Sequence, residues 1–408
     1  MNQVPTPIQP NMQARYPQQA AYAPVPANYP PQGYAQPQVM APQAPRMPVP
    51  QAPVAQPMQP QQVPQPMPQQ MRPMPQVMPV ANGVPTNLHE ARNLALGLEA
   101  ACRAKVQGRE EVIRQVVCAL LADGHVLLED YPGSGKTTLA KALGDAIMRH
   151  GQDEKFSSFG RVQFTPDLLP SDVTGASIFD EEKKQFVFRP GPIFTNVLLA
   201  DEINRTSPKV QAALLEAMAE KQVTADAGTQ KLEEIFFVLA TQNPLDLVGT
   251  YPLPQAQLDR FLFKIKMAHL KRECEIDVLA RWKAARAQAT PIQVTPAMLI
   301  AARNVIGQTV TVHPHFYAGL VDIANNLRRD SRVLLGISTR SLVLALPALQ
   351  TWAAINGRDY VSAEDIKALA IPIFSHRLTL QPGQKDADTI VMECIAPVVE
   401  ALTRATMR

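Results

Sequence analysis

Apolar residues recur at helical spacing where the ordered part of the chain is expected to begin. From about residue 86 they fall three and four positions apart, at Leu88, Ala91, Leu94, Ala95 and Leu98. A second stretch, from about 108 to 122, repeats the pattern with Val112, Val116, Val117 and Leu120. Apolar positions at this spacing share one face of an α-helix. The pattern therefore predicts two amphipathic helices before the first strand.

Short apolar runs then alternate with further helical patterns. The runs cover residues 125–129, 161–164, 197–200, 235–240 and 261–265. Helical patterns separate them, one over 138–149 and one capped by Ser207 with Pro208 in its first turn. Strands that alternate with helices form parallel sheets with both faces covered. We therefore predict an α/β domain over residues 86–270.

The periodicity changes after about residue 270. The strand signals stop there, and helical patterns continue to residue 408. This change predicts a smaller, all-helical second domain over residues 271–408.

Residues 1–85 have a different composition from the rest. They hold 23 of the 39 prolines, 9 of the 15 methionines and 18 glutamines, but no Leu, Phe, Trp, Lys, Asp or Glu. A segment without large core-forming residues cannot bury enough apolar surface to offset the entropy lost on ordering. We therefore expect a disordered tail. Its proline-rich stretches suit either a passive spacer or a ligand for aromatic grooves, and both interpretations stay open.

Charge and hydropathy narrow the functional classes. Without the three arginines of the tail, the chain has 36 basic and 36 acidic residues, which gives no electrostatic case for wrapping nucleic acid. No apolar run approaches the ~18 residues of a membrane helix. The first residues lack the pattern of a secretory signal, and the four scattered cysteines have no metal-ligand or redox spacing. We therefore expect a cytoplasmic protein without a membrane segment.

The strongest chemical signal is a glycine-rich loop between a strand and a helix. Residues 130–137 read Asp-Tyr-Pro-Gly-Ser-Gly-Lys-Thr, with aspartate in place of the first consensus glycine. The glycines let consecutive backbone N–H groups point at phosphate oxygens, and the helix N-terminus adds positive potential. Lys136 can reach the β- and γ-phosphates, and the Thr137 hydroxyl can ligate Mg²⁺. The predicted ATP-binding residues of the loop are Asp130, Tyr131, Pro132, Gly133, Ser134, Gly135, Lys136, Thr137 and Thr138.

Two further strands end in polar residues suited to hydrolysis. The run 197–200 leads to Asp201 and Glu202, and the run 235–240 leads to Asn243. We predict that Asp201 holds Mg²⁺ together with Thr137, and that Glu202 polarises the attacking water. Asn243 is placed to orient that water. Ligands of open parallel sheets bind beyond the carboxyl ends of the strands, where all three elements end.

Two arginines are candidates for a cation that assists the reaction. Phosphoryl transfer spreads negative charge over the γ-oxygens, so a cation delivered at the right moment accelerates it. Arg260 lies in the sequence Gln-Leu-Asp-Arg-Phe, after the predicted strand that leads to Asn243. Arg340 begins a predicted helix of the second domain. A surface salt bridge is the alternative for each, and composition does not decide between them.

Long strings of the chain resemble the MoxR family of AAA+ ATPases, over about residues 107–380. These strings are residues 124–138, 161–175, 188–194, 200–206 and 253–261. The resemblance implies a P-loop NTPase core followed by a helical lid. Asp130 also occurs in MoxR-like sequences, so it does not weaken the match.

The resemblance also implies roles for individual residues. Asn243 is similar to the sensor 1 residue, and Arg340 to the sensor 2 arginine that reaches the nucleotide from the lid. Arg260 is similar to an arginine finger that acts on a neighbouring subunit, with Arg205 as its rival for the contact between subunits. A finger that acts in trans requires a ring, which this resemblance implies to be a homo-hexamer.

An insertion over residues 175–190 is expected of this family. Its apolar runs 177–179 and 185–188 flank the charged residues 180–184, which predicts a small hairpin. Two interpretations are open: the hairpin faces the pore of a ring and grips a client, or it only packs on the surface.

The function that the resemblance implies is ATP-driven, chaperone-like remodelling or maturation of a protein client. MoxR relatives often work with partners that contain a von Willebrand factor A domain. One alternative is an ATP-dependent nucleic-acid motor, which the neutral charge balance disfavours. Another is an assembly scaffold that ATP only stabilises, which the hydrolytic residues Glu202 and Asn243 disfavour.

Overall fold

The computed structural model describes residues 83–129, 133–148, 156–225, 228–243, 249–281 and 292–406. Residues 1–82 of the predicted disordered tail lie outside these ranges. So do Asp130, Tyr131 and Pro132 of the glycine-rich loop.

Helices and strands are interspersed between residues 88 and 266. In chain order they are α1 (Leu88–Lys105), α2 (Glu110–Leu121), β1 (Val126–Glu129), α3 (Lys136–Ala146), β2 (Ser157–Gln163), α4 (Pro170–Thr174), β3 (Gly175–Asp180), β4 (Gln185–Pro190), β5 (Thr195–Asp201), α5 (Pro208–Glu220), β6 (Gln222–Ala225), β7 (Gly228–Lys231), β8 (Phe237–Gln242), α6 (Gln255–Leu258) and β9 (Phe263–Lys266).

Five of these strands form the central sheet, in the order β2-β5-β8-β1-β9. Every neighbouring pair is parallel, and Val126 of β1 lies in register with Leu239 of β8 and Phe263 of β9. All seven residues of β5 are buried, as expected for a central strand covered on both sides. The predicted α/β class with a parallel sheet is therefore confirmed.

The alternation of side chains along the strands creates two separate apolar cores. Val126 and Leu128 of β1 pack on one face against α1, α2 and α3, whereas Leu127 packs on the other face against α5. In β5, Leu199 and Ala200 divide between the same two cores. The sheet is thus covered by helices on both faces, and the carboxyl ends of its strands meet at one edge.

The described residues after 271, namely 272–281 and 292–406, are mostly helical, and we refer to them as the helical lid. Their elements are α7 (Arg272–Arg281), α8 (Pro296–Thr309), α9 (Pro314–Arg329), β10 (Val333–Leu335), α10 (Thr339–Ile355), α11 (Ala363–Phe374), β11 (Thr379–Leu380) and α12 (Ala387–Thr406). The predicted helical composition after residue 270 is therefore confirmed. Within the described ranges, no helix combines the length and the apolar character that a membrane span needs.

The lid shares an apolar core with the first helices of the chain. One continuous cluster of buried residues joins α1, α2 and α3 to α8, α10 and α11. Cys118 of α2 lies against α10, where its thiol donates to the carbonyl oxygen of Ala348 at 3.4 Å. Packing of this kind ties α1 and α2 to both the sheet and the lid.

Two local differences from the sequence pattern have clear causes. The helix predicted to run to residue 149 ends at Ala146, because Ile147 is extended and pairs with Val294 of the lid. The antiparallel hairpin predicted over residues 175–190 is present as β3 and β4. A second hairpin, β6 with β7, was not predicted, because its strands are short and mostly polar.

Candidate ATP site

The glycine-rich loop joins β1 to α3 at the carboxyl edge of the sheet. Gly133 and Gly135 adopt left-handed backbone conformations, with φ of 84° and 95°. A Cβ atom on Gly133 would meet nothing within 4 Å, so the positive φ rather than crowding favours glycine there. The turn lets α3 begin at Lys136, and its first N–H groups face the loop.

Lys136 and Asp201 meet across the sheet edge. The Lys136 Nζ lies 3.2 Å from Oδ1 of Asp201, the last residue of β5. Asp201 also accepts hydrogen bonds from Arg161 of β2 at 2.8 Å and from the Thr241 hydroxyl of β8 at 2.8 Å. Burial alone would raise the pKa of Asp201, but these donors and the Lys136 charge hold it below its ordinary value. The carboxylate is therefore ionised at neutral pH.

Glu202 leaves the strand in an unusual backbone conformation. Its φ is 59° and its ψ 49°, a left-handed geometry that costs a non-glycine residue about 1 kcal/mol. Its N–H donates to the Thr241 hydroxyl at 2.9 Å, so one buried side chain anchors both acidic residues. Its carboxylate accepts from Gln163 Nε2 at 2.9 Å, and Arg205 Nε lies 3.1 Å from the same oxygen.

The other predicted polar residues lie along the same edge. Thr137 is half-buried in the first turn of α3, Thr138 beside it is exposed, and Ser134 contacts the Met267 sulfur at 3.9 Å. Asn243 directly follows β8. Because β8 lies between β1 and β5, Asn243 comes between the loop and the acidic pair.

The two candidate arginines come from different parts of the chain, Arg260 from the segment after α6 and Arg340 from the start of α10. Arg260 is half-buried and donates to the Leu215 carbonyl oxygen of α5 at 2.7 Å. Arg340 is the second residue of α10; its side chain is 57 % exposed, and its Nε lies 4.0 Å from Oδ2 of Asp259. Among the described residues, the contacts of these two arginines are therefore with Leu215 and Asp259 and not with Asp201.

Three side chains of the site had no role in the sequence interpretation. Arg161 and Gln163 lie on β2, and Thr241 lies on β8, both strands being neighbours of β5. Arg161 and Gln163 lie in the family string 161–175, but no chemical motif in that string or around Thr241 assigned these side chains a role. The signal that could have found them is the strand order, which places their side chains against Asp201 and Glu202.

Comparisons with known proteins agree with this geometry. Residues 125–263 match the model of the ATPase family associated with various cellular activities, AAA, and residues 325–394 match the AAA lid domain. The first range covers β1 to β8, the glycine-rich loop and the acidic strand end, and the second covers much of the lid.

Several relatives extend over most of the chain. A Bacillus subtilis protein, the uncharacterized YeaC, is 44 % identical over 74 % of this chain and 93 % of its own length. The Mycobacterium tuberculosis protein named chaperone MoxR1 is 36 % identical over 67 % of this chain and 73 % of its own. The protein MoxR of Methylorubrum extorquens is 28 % identical over 72 % and 90 %.

A solved structure shares the fold. The crystal structure of a candidate ATPase from Cytophaga hutchinsonii covers 78 % of this chain and 95 % of its own, with a TM-score of 0.66 and 34 % identity. With an ATPase core, a lid and relatives of this extent, the chain belongs to the MoxR family of AAA+ ATPases.

Proposed function

We propose that this MoxR-family ATPase hydrolyses Mg²⁺-bound ATP at the edge where β1, β5 and β8 end, and uses the energy to remodel a protein client. One observation carries the proposal: the Lys136 ammonium lies 3.2 Å from Asp201, so the phosphate-binding and acidic elements converge. The scattered cysteines favour a cytoplasmic setting.

The Mg²⁺ site that we propose uses two hard oxygen donors. Thr137 and Asp201 would hold the ion, which prefers carboxylate and hydroxyl ligands beside phosphate oxygens. The donors fit, because Asp201 has a lowered pKa and Thr137 follows the phosphate-binding lysine directly. When bound, the ion supplies positive charge against the phosphate oxygens.

The protein groups divide the remaining work. The loop residues 130–138 cradle the phosphates, with Lys136 against the β- and γ-phosphates. Glu202 polarises the attacking water, and Asn243 orients it. Arg340 reaches the nucleotide from the lid. The division between an α/β domain over 86–270 and a lid over 271–408 gives the nucleotide a cleft at their junction.

Paired substitutions test these roles. Lys136→Ala should abolish ATP binding, measured with a fluorescent ATP analogue, whereas Glu202→Gln should bind ATP normally and lose at least about 100-fold in kcat. The matched controls are Lys209→Ala and Glu216→Gln on the exposed side of α5. Normal turnover by Glu202→Gln would contradict the assignment of the catalytic carboxylate.

We propose that the active unit is a hexameric ring in which Arg260 acts on the neighbouring subunit. Both rivals have contacts in their own chain, but Arg205 pairs with a carboxylate, Glu202, at 3.1 Å, whereas Arg260 donates to the neutral Leu215 carbonyl oxygen, which favours Arg260 for the trans role. Mass photometry of Glu202→Gln with ATP should give six subunits. Mixing Arg260→Ala with Glu202→Gln subunits, which still bind ATP, should restore hydrolysis, and no restoration would point to a cis role or to Arg205.

The hairpin of β3 and β4 suits contact with a client. Phe188 at its base packs against Phe194 at 5.6 Å, whereas Phe179 and Phe186 near its tip pack edge to face at 5.4 Å and are 47 % and 71 % exposed. Exposed apolar patches on a soluble surface mark interaction sites. This anchored hairpin, with an exposed aromatic pair beside its charged tip, supports a client-binding role.

Affinity recovery separates the candidate functions. Tagged Glu202→Gln in ATP should retain a protein client, together with any partner that carries a von Willebrand factor A domain. Nuclease-sensitive DNA or RNA in place of protein would favour the nucleic-acid motor. Client binding that is equally strong for Glu202→Gln in ATP and in ADP would favour a scaffold.

A further inference from the structure

Asp259 belongs to the α/β part and contacts the helical lid. It lies between α6 and β9, directly before Arg260. Its carboxylate faces three groups from the lid: Arg377 Nε at 2.8 Å, the Ser341 hydroxyl at 3.0 Å and Arg340 Nε at 4.0 Å. One carboxylate thus contacts the arginine predicted to read the nucleotide, and it adjoins the arginine predicted to act on the neighbour.

Arg377 is the fixed partner of Asp259. Its side chain is 2 % exposed, and it also donates to the carbonyl oxygens of Phe261 at 2.8 Å and Leu262 at 3.2 Å. A further donation to the Ile373 carbonyl oxygen holds the same guanidinium to α11. A buried cation that loses its partners is strongly destabilising, so Arg377 cannot leave this position without large cost.

The lid holds the segment after α6 through other contacts as well. His376 Nε2 lies 3.1 Å from the Phe261 carbonyl oxygen, and Gln255 donates to the His376 carbonyl oxygen at 2.7 Å. Residues on both sides of Arg260 are therefore bonded to the lid. Any rotation of the lid must pull on the backbone that carries Arg260.

Arg340 is the exchangeable partner of Asp259. Its side chain is 57 % exposed, and 4.0 Å is the outer limit of an ion pair. Exposed pairs of this kind contribute only about 0–1 kcal/mol, so a γ-phosphate can take Arg340 from Asp259. Arg377 stays with Asp259 when that happens, because its burial and carbonyl contacts do not depend on Arg340.

We propose that Asp259 and Arg377 form a latch between the lid and the segment carrying Arg260, which couples the nucleotide bound by one subunit to the arginine that it offers its neighbour. ATP draws Arg340 and the lid toward its phosphates, and the latch transmits this movement to Arg260. Both are positioning residues, since neither touches the nucleotide. The inference rests on the proposed functions of Arg340 and Arg260.

Mixed rings of full-length subunits test the latch. The donor subunit carries Glu202→Gln, so that it binds ATP and offers Arg260 without turnover. The acceptor carries Arg260→Ala, so that only an acceptor site beside a donor can hydrolyse ATP. Restored hydrolysis in this mixture is the reference rate. No restoration would overturn the trans role of Arg260, and the latch with it.

Asp259→Asn is then added to one subunit type at a time. On the donor it should lower the restored rate by about tenfold, the scale of one charge-assisted hydrogen bond. On the acceptor the loss should be smaller, because the acceptor offers no Arg260. Arg340→Ala on the donor should also slow the neighbour, although Arg260 is intact. Asp322→Asn, exposed on α9, is the matched control on the donor.

A double variant that lacks both charges tests the latch if the single variant Asp259→Asn fails to fold. If Asp259→Asn alone prevents assembly, the double variant Asp259→Asn with Arg377→Gln removes both charges together and leaves no unpaired buried cation. It should assemble and show the same loss on the donor side. With a normal reference rate, equal losses on both sides or no loss on the donor would overturn the latch alone.

Discussion

Gln163 donates a hydrogen bond from its Nε2 to Oε2 of Glu202 across 2.9 Å. The bond joins the end of β2 to the first residue after β5, and Arg205 approaches the same oxygen at 3.1 Å. The carboxylate proposed to polarise water is therefore engaged by two donors of its own chain. Both donors hold Oε2, so we expect the carboxylate to turn toward water more readily when one of them is removed.

We expect Gln163→Leu to raise ATP hydrolysis in the absence of a client. The substitution keeps a similar volume but removes the amide donor, so the Glu202 carboxylate keeps the Arg205 contact and loses the Gln163 contact. A hydrogen bond of this kind contributes about 0.5–1.5 kcal/mol, which corresponds to an increase in kcat of about 2- to 10-fold. The measurement is steady-state phosphate release at saturating ATP.

Gln163→Glu is the informative companion to that variant. It puts a second carboxylate beside Glu202. The two negative charges should repel each other, so this variant disturbs the position of Glu202 in addition to removing the hydrogen bond. A lower kcat for Gln163→Leu with unchanged ATP binding would show that Gln163 orients Glu202 for the reaction and does not restrain it.

The strands and the glycine-rich loop were predictable because their signals are local. The runs at 125–129 and 197–200 are apolar enough to indicate strands buried on both faces, and β1 and β5 lie there. Left-handed backbone at Gly133 and Gly135 follows from a residue type that tolerates it. The proximity of Lys136 and Asp201 could be predicted because the loop before Lys136 follows β1 and Asp201 ends β5, and the carboxyl ends of parallel strands lie at the same edge of a sheet.

Contacts that depend on strand order or on distant packing were not predictable. Arg161 reaches Asp201 only because β2 neighbours β5, and no periodicity specifies that order. Arg377 meets Asp259 from 118 positions away, through the fold of the lid on the α/β part. Hairpin β6–β7 escaped detection because, of its described residues, Val223 alone is buried.

Thr241 is expected to stabilise both acidic residues. Thr241→Val keeps the shape but removes the hydroxyl that donates to Asp201 and accepts from the Glu202 N–H. Loss of a buried partner costs about 1–3 kcal/mol, so the free energy of unfolding in urea should fall by that amount. We also expect kcat to fall by about tenfold or more, because both carboxylates lose a common anchor.

Thr241→Ser separates the hydroxyl from the methyl group. It retains the two hydrogen bonds and should preserve kcat to within about threefold. The free energy of unfolding should fall only by the smaller amount that the missing methyl group contributes. Equal kcat values for the valine and serine variants would mean that the hydroxyl does not matter for the reaction.

We expect the folded protein to lose stability in mild acid, because His125 is buried as a neutral ring. Its Nδ1 accepts from the Val238 N–H at 3.1 Å and its Nε2 donates to the Met218 carbonyl oxygen at 3.2 Å, which requires the neutral ring. Complete burial lowers the pKa of His125 to about 4, below the 6.5 of an unperturbed histidine. Stability from the neutral ring is therefore fully present above about pH 6.5 and is lost as the pH falls toward 4.

The size of this dependence follows from one proton. Below about pH 6.5 the unfolded chain binds a proton that the folded chain excludes, so the free energy of unfolding should fall by up to about 1.4 kcal/mol per pH unit. Urea titrations at pH 7, 6 and 5 measure the slope. His125→Gln, which can still accept and donate, should reduce it, and the same substitution at exposed His89 is the matched control. An unchanged slope in His125→Gln would assign the dependence to other groups.

Phe186 is expected to contact clients without supporting the fold. It is 71 % exposed on β4, opposite Phe179, so Phe186→Ser removes apolar surface from the hairpin tip. The free energy of unfolding should stay within about 0.5 kcal/mol of the original, as for other surface substitutions. Binding of a permanently unfolded probe, reduced and alkylated α-lactalbumin, to Glu202→Gln in ATP should weaken by about tenfold, the scale of losing one exposed aromatic anchor.

Phe188→Ser is the contrasting variant, because Phe188 packs on Phe194 at the hairpin base and its loss should lower stability as well. If Phe186→Ser bound the probe as tightly as the parent ring, the hairpin tip would not be the client contact, and its exposed aromatic pair would need a different partner.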